Sequence, residues 1–262
     1  MFEVTRYDAR RRVRGTAALT VGLSAFALLI VGVYPSIATS GVDFEAYVEN
    51  LPEAFRSGFG VEAFNTVEGF LAAEFYQFVW VLLLGLYVAY QAGGSVAGDV
   101  EDGRLDLVLA TPISRSRLLV EKFLAVLTPV VALNLVMPLV VYAGLLAVEE
   151  SIDFGLLIAV HVLSVPYLLA CAAAGLLLSV LVSRGDLAER GALAGVFLLF
   201  VVDSVTTETD VEWLGAVSPT RYYDPTEILV RETFDVGGAI VLFAAAFLLF
   251  AVGRARFLRR DV

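Results

Sequence analysis

FGLLIAVHVLSVPYLLACAAAGLLLSVLV, residues Phe154 to Val182, contains no aspartate, glutamate, lysine or arginine. A bilayer core is about 30 Å thick, and a helix crosses it with roughly 20 apolar residues. Water cannot serve the backbone there, so a spanning segment must satisfy its own N–H and C=O groups, as a helix does. The run lacks the period-two alternation of a membrane barrel strand. Comparable apolar runs lie at Thr16–Tyr34, Leu71–Ala97, Phe123–Val148 and Val236–Val252, with a shorter one at Leu187–Val202. The whole chain of 262 residues is 59% hydrophobic with mean hydropathy +0.82, well above the roughly 45–50% apolar content of soluble domains. The expected fold is therefore all-α: one transmembrane domain over 1–262 with six transmembrane helices. A cleaved signal peptide is not expected, because the first run lacks a small-residue cleavage site and is followed by further runs.

Arginine and lysine set the orientation. Six spans put both termini on one side, with Arg6, Arg10, Arg11, Arg12, Arg14, Arg104, Arg115, Arg117, Lys122, Arg184, Arg190, Arg254, Arg256, Arg259 and Arg260. Arg56, Arg221 and Arg231 fall on the other, a split of 15 to 3 that predicts cytosolic termini in a cell-membrane protein. The expected outer loops, 35–70 and 203–235, hold acids instead, among them Asp43, Glu45, Glu49, Glu53, Glu62, Glu68, Glu208, Asp210 and Glu212. Such a face is either simply solvated or an attractor of cations.

The 18 bases against 28 acids leave a net charge of −10, and Lys122 is the sole lysine. This composition suggests a halophilic protein and argues against a nucleic-acid partner. One cysteine, Cys171, one histidine, His161, and two methionines exclude an intrachain disulfide and leave too few ligands for a haem, copper or structural zinc site. No cofactor is expected on this chain.

The connection at 98–122 is the most informative loop. Asp102 is placed to cap a short helix on which Leu105, Val108 and Leu109 share one face. Pro112 disfavours helix at Thr111 and ends it. Ser114 can cap the next span, which opens with Arg115 and Arg117. An apolar stripe on a short helix outside the bilayer calls either for a protein groove or for the membrane surface.

Here the chain resembles the type 2 permeases of ATP-binding cassette exporters. The resemblance rests on Glu101-Asp102-Gly103-Arg104-Leu105, on Thr111-Pro112-Ile113-Ser114-Arg115, and on Glu121-Lys122. A looser match is Ser218-Pro219-Thr220-Arg221-Tyr222-Tyr223-Asp224-Pro225, before the last span. The resemblance covers essentially the whole chain and implies that loop 98–122 carries a coupling helix, docked on a separate ATPase subunit through Glu101, Asp102, Gly103, Arg104, Leu105, Val108, Leu109, Thr111, Pro112 and Arg115. It also implies that ATP and Mg are held by that partner, and that two permease copies, alike or different, assemble in membrane lipid.

The chain has no ATPase site of its own. A phosphate loop needs Gly-x4-Gly-Lys-Ser/Thr, and Lys122 sits in Leu119-Val120-Glu121-Lys122-Phe123 instead. Polar residues inside spans mark a possible substrate path: Glu74, Gln77, Asn134 and His161, with Gln91 a further candidate. Gly94-x-x-x-Gly98 and Gly191-x-x-x-Gly195 permit close helix packing, and Pro129, Pro138 and Pro166 are expected to kink their spans. The competing reading is a secondary transporter or channel not driven by ATP, which favours midplane charges; none stands there beyond His161. An enzyme would need clustered acids, histidines or metal ligands, which the sequence lacks.

Overall fold

Each long apolar run is helical in the structure, a computed structural model that describes residues 2–39, 63–207 and 209–259. Asp43, Glu45, Glu49, Glu53, Arg56, Glu62, Glu208 and Arg260 lie outside the described residues. Helix α1 runs over Glu3–Ala38, so the basic N-terminal segment is the first three turns of the first apolar helix. Thr66 Oγ1 caps α2 by accepting from Gly69 N–H at 3.1 Å, and α2 continues over Val67–Glu101. A short helix α3, Arg104–Leu109, follows. Then come α4 over Arg115–Ala147, α5 over Phe154–Leu181 and α6 over Gly185–Thr206. Two 3₁₀ turns, Glu212–Val217 and Pro219–Tyr222, and the one-turn helix α7, Pro225–Leu229, precede α8 over Val236–Leu258. Asp153 and Asp235 cap α5 and α8, each accepting a backbone N–H at 2.7 Å.

Among the described residues five helices are long and apolar enough to cross a membrane: α1, α2, α4, α5 and α8. The sequence reading expects six spans, and the sixth falls in α6. That helix has 22 residues, but Asp186, Glu189 and Arg190 near one end and Asp203 near the other confine its uncharged stretch to 191–202.

Two helices form the centre. In the most apolar window of α2 72% of residues are buried, and in that of α5 61%, against 22% in α1 and 28% in α8. Helices α6 and α8 flank this pair, and α1 packs along α4. The outward faces of α1 and α8 present Leu29, Phe247 and Leu248, each more than half exposed. In water such faces would promote aggregation; hydrocarbon solvates them.

Glycine permits the close central packing. A Cβ at Gly175 of α5 would strike the Ala89 carbonyl of α2, and one at Gly93 would lie 2.7 Å from the Ala188 carbonyl oxygen of α6. Of the two glycine pairs singled out in the sequence, Gly94 lies under the Glu189 side chain, while Gly98, Gly191 and Gly195 face open space. Ser179 of α5 adds a polar stitch, its hydroxyl oxygen accepting from the N–H groups of Val96 and Ala97, each at 2.9 Å.

The prolines act unequally. Pro138 and Pro166 sit inside unbroken helices. The ladder of α4 is interrupted at Leu127, two residues before Pro129, where Leu127 N–H bonds the Leu124 carbonyl in a tighter turn. Within α2, Ala72–Leu84 is wound as a π-helix, a form usually confined to a single turn and common at functional sites.

Candidate functional site

Loop 98–122 is built around one glycine. Helix α2 continues to Glu101, so only Asp102 and Gly103 separate it from α3. The chain reverses there because Gly103 adopts φ +67°, a left-handed conformation that costs an L-residue roughly 1 kcal/mol. Asp102 was expected to cap α3 and does not: it closes α2, and its carboxylate meets Arg104 Nη2 at 2.6 Å. Ser114 does cap α4, accepting from Arg117 N–H at 3.3 Å.

The apolar stripe of α3 turns inward. Leu105 is buried in this chain's own core, and Val108 and Leu109 pack partly buried against it. The stripe expected to meet a partner is thus already covered, because α3 folds back over the ends of its flanking helices. What α3 and its turn present outward is Asp106, Ala110, Thr111, Pro112 and the side chain of Leu107, which is 73% exposed. Thr111 donates its hydroxyl to the Val108 carbonyl at 2.6 Å, and Ile113 N–H bonds the Thr111 carbonyl at 2.7 Å, which stiffens the turn at Pro112.

Behind the loop lies a buried ionic cluster. Lys122, 4% exposed, bridges Asp99 of α2 and Asp8 of α1, the latter at 3.2 Å. Asp99 also accepts from Arg104 Nε at 2.9 Å, and this hydrogen bond raises the Arg104 pKa above its ordinary value. Glu121 accepts from the N–H groups of Val4 and Thr5 at 2.9 and 3.2 Å, at the start of α1, where the helix dipole favours an anion. Arg117 Nε donates to the same carboxylate at 2.7 Å. Glu101 accepts Gly185 N–H at 2.7 Å and holds the start of α6. The motif acids and the sole lysine therefore join α1, α2, α3, α4 and α6 at one end of the bundle. The expected docking residues Asp102 and Arg104 belong to this same scaffold.

The Ser218–Pro225 stretch is organised at the opposite end by hydroxyls. Ser218 caps the 3₁₀ turn at Thr220, Thr220 donates to Asp203 of α6 at 2.6 Å, and Asp224 accepts from Thr226 N–H at 2.7 Å. Tyr223 donates to the Val160 carbonyl of α5 at 2.7 Å and stacks on Tyr167, which donates to the Val81 carbonyl of α2 at 2.8 Å. Burial pushes the Tyr223 hydroxyl well above its ordinary pKa.

Of the polar residues of the expected path, Asn134 and His161 are brought together through Ser164. Asn134 Oδ1 accepts from Ser164 Oγ at 3.2 Å, and Ser164 also bonds the His161 carbonyl at 2.7 Å. His161 Nδ1 sits 2.7 Å from the Leu157 carbonyl oxygen; that oxygen only accepts, so Nδ1 carries the proton and Nε2 is left as an acceptor. Tyr76 and Trp80, from the π-helical part of α2, pack edge-on to the imidazole at centroid distances of 5.4 and 4.8 Å. Gln77 is buried and Glu74 is half-buried. The sequence reading missed Tyr76 and Trp80. Their spacing is ordinary for a core face, and the π-helical winding that aims both at His161 leaves no mark in composition.

Among the described residues no group of three or more His, Cys, Asp or Glu side chains is arranged to hold a metal ion. A family model described as "ABC-2 family transporter protein" matches residues 3–262. No curated protein sequence matches the chain with significance.

Proposed function

Because the chain belongs to the ABC-2 transporter family and is a membrane permease component of an ABC transporter, we propose that it exports its cargo using ATP hydrolysed on a separate subunit. That subunit holds the ATP and Mg, and two permease copies complete the assembly. In this reading α6 is the fifth of six spans, and both termini and loop 98–122 are cytosolic in the cell membrane. Two observations support the topology: the 15 to 3 division of basic residues, and the course of α6 from Glu101 at the loop end to Thr220 at the other.

One observation carries the coupling role. A short helix with its apolar side buried presents a stiff tip, Asp106–Pro112, on a scaffold that ties five helices together. A partner pressing on that tip displaces the ends of α1, α2, α4 and α6 together. The contact surface is then the side bearing Leu107 and Thr111, with Arg115 at its edge, and Leu105 acts from inside. Glu74, Gln77, Asn134 and His161, with Tyr76 and Trp80, supply the polar groups of a cargo path between α2, α4 and α5.

The test is Leu107→Asp in the permease coexpressed with its ATPase. Leu107 is 73% exposed, so the variant permease should accumulate and melt like the parent. A charge forced into an apolar contact costs several kcal/mol, on the order of a hundredfold or more in affinity. ATPase copurification and transport-linked hydrolysis should fall accordingly. Undiminished copurification with Leu107→Asp would remove this tip as the coupling surface.

A further inference from the structure

A cavity of about 340 Å³ opens beside the ionic cluster, between α1, α2, α4 and α6. Its size lies in the range of small-ligand pockets, about 300–1,000 Å³. Lys122 is neutralised by Asp8 and Asp99, and Arg104 by Asp99 and Asp102, so these lining charges largely cancel. Arg12 differs. Its guanidinium is half-buried, its one hydrogen-bond partner among the described residues is the side-chain oxygen of Gln91, a neutral group, and Asp8 and Asp99 attract it without forming an ion pair with it. Arg11 reaches the same cavity and lies over the Tyr7 ring at 5.8 Å. The lining acids are Glu189 and the ion-paired Asp8 and Asp99, three against the four cations Arg11, Arg12, Arg104 and Lys122.

A second observation points to a ligand. Thr16 lines the cavity, is 6% exposed, and its hydroxyl oxygen has no hydrogen-bond partner among the described residues. Buried hydroxyls are normally bonded, since leaving one unpaired costs about 1–3 kcal/mol. Tyr87 stands across the cavity, accepting from Gln91 Nε2 at 3.2 Å, which leaves its O–H free to donate. Two guanidiniums and two hydroxyl donors form an acceptor-seeking set that suits phosphate oxygens. Thr16 is also the residue at which α1 passes from its arginine-rich turns to its apolar run. The cavity therefore sits at the depth of lipid headgroups.

We propose that the cavity formed by Arg11, Arg12, Thr16 and Tyr87 binds a phosphate group, that of an anionic phospholipid headgroup or of a soluble phosphate compound. This inference does not rest on ATP coupling, and its test needs no ATPase. The full-length permease is placed in nanodiscs of phosphatidylcholine with or without phosphatidylglycerol, and retained lipid is read by native mass spectrometry. In parallel, phosphatidylcholine discs are titrated with inorganic phosphate and followed by thermal melting.

A bound lipid appears as one phosphatidylglycerol retained per chain. A soluble ligand appears as a saturable rise in melting temperature with phosphate. Under either source, Arg12→Gln and Thr16→Val weaken the effect about tenfold or more, the scale of one charge-assisted hydrogen bond. Arg14→Gln, whose exposed side chain does not line the cavity, leaves it unchanged. Thr16→Val matches the native shape and removes a hydroxyl that has no protein partner, so a loss of binding in that variant is not a folding defect. The proposal is overturned if neither probe binds, or if Arg14→Gln weakens binding as much as Arg12→Gln does.

Discussion

Lys122→Met removes a cation that joins α1, α2 and α4. The lysine is 4% exposed, and its partners Asp8 and Asp99 are 16% and 14% exposed. At an effective dielectric of about 20, a unit pair 3.2 Å apart attracts by about 5 kcal/mol. Much of that attraction offsets desolvation, and removing one partner of a buried pair typically costs about 3–5 kcal/mol because the other charge is stranded. Asp99 keeps Arg104 at 2.9 Å, whereas Asp8 loses its only ion pair among the described residues. The expected loss is therefore about 2–4 kcal/mol, which at roughly 2–4 °C per kcal/mol lowers the melting temperature by about 5–15 °C. Heating in detergent followed by size-exclusion chromatography reads this directly. Adding Asp8→Asn to Lys122→Met should restore part of the loss, since the stranded charge is gone. Melting of Lys122→Met within about 2 °C of the parent, or no recovery in the double variant, would refute the bridge.

Ser179→Ala deletes the acceptor shared by Val96 and Ala97 N–H. A loss of about 1–3 kcal/mol is expected in thermal melting; a loss below about 0.5 kcal/mol would mean that the helix carbonyls satisfy both amides unaided. Gly103→Ala meets no atom within 4 Å, so its cost is the left-handed backbone alone, roughly 1 kcal/mol. Gly103→Asn, which tolerates that conformation better, should lie between the two in melting temperature, and equal stability of all three proteins would contradict the φ of +67° at this turn.

The span-forming segments were legible because twenty apolar residues without charge admit few other structures. Helix α6 was harder to read: its charged ends shorten the apolar signal to 191–202, and the helix extends beyond it on both sides through contacts with α2 and the Thr220 turn. The break before Pro112 was also legible, although α2 runs on to Glu101 and α4 begins at Arg115, so the connection is shorter than 98–122. The direction of its apolar stripe was not. Periodicity identifies which residues share a face, and Leu105, Val108 and Leu109 do share one; it says nothing of what covers that face. The partners of Lys122 were invisible for a related reason. Asp8 lies 114 positions away, and nothing local in either segment marks the pair. Asp102 misled because an aspartate before an apolar run is a common cap, while the glycine after it was the residue that set the geometry.

The two ends of the bundle are held by different chemistry, and this bears on how it moves. At the loop end the ties are ionic and gather on few residues: Lys122 holds α1 and α2, Glu121 holds α1, and Glu101 holds α6. At the other end the ties that reach the central helices are neutral, with Tyr223 and Tyr167 bonding main-chain carbonyls of α5 and α2 and stacking on one another, while charged contacts such as Arg221 to Asp203 at 3.9 Å hold only the connecting turns and the end of α6. Between the ends, α2 and α5 pack closely, with Gly175 against the Ala89 carbonyl. A displacement of α3 therefore tends to carry α2 and α5 as a unit, while α1 and α6 follow through charged links of side-chain length. Because Lys122 is almost wholly buried, salt screens that linkage weakly compared with an exposed pair. On the proposed coupling, the compliant elements are then the peripheral helices and the π-helical stretch of α2, where Tyr76 and Trp80 meet His161.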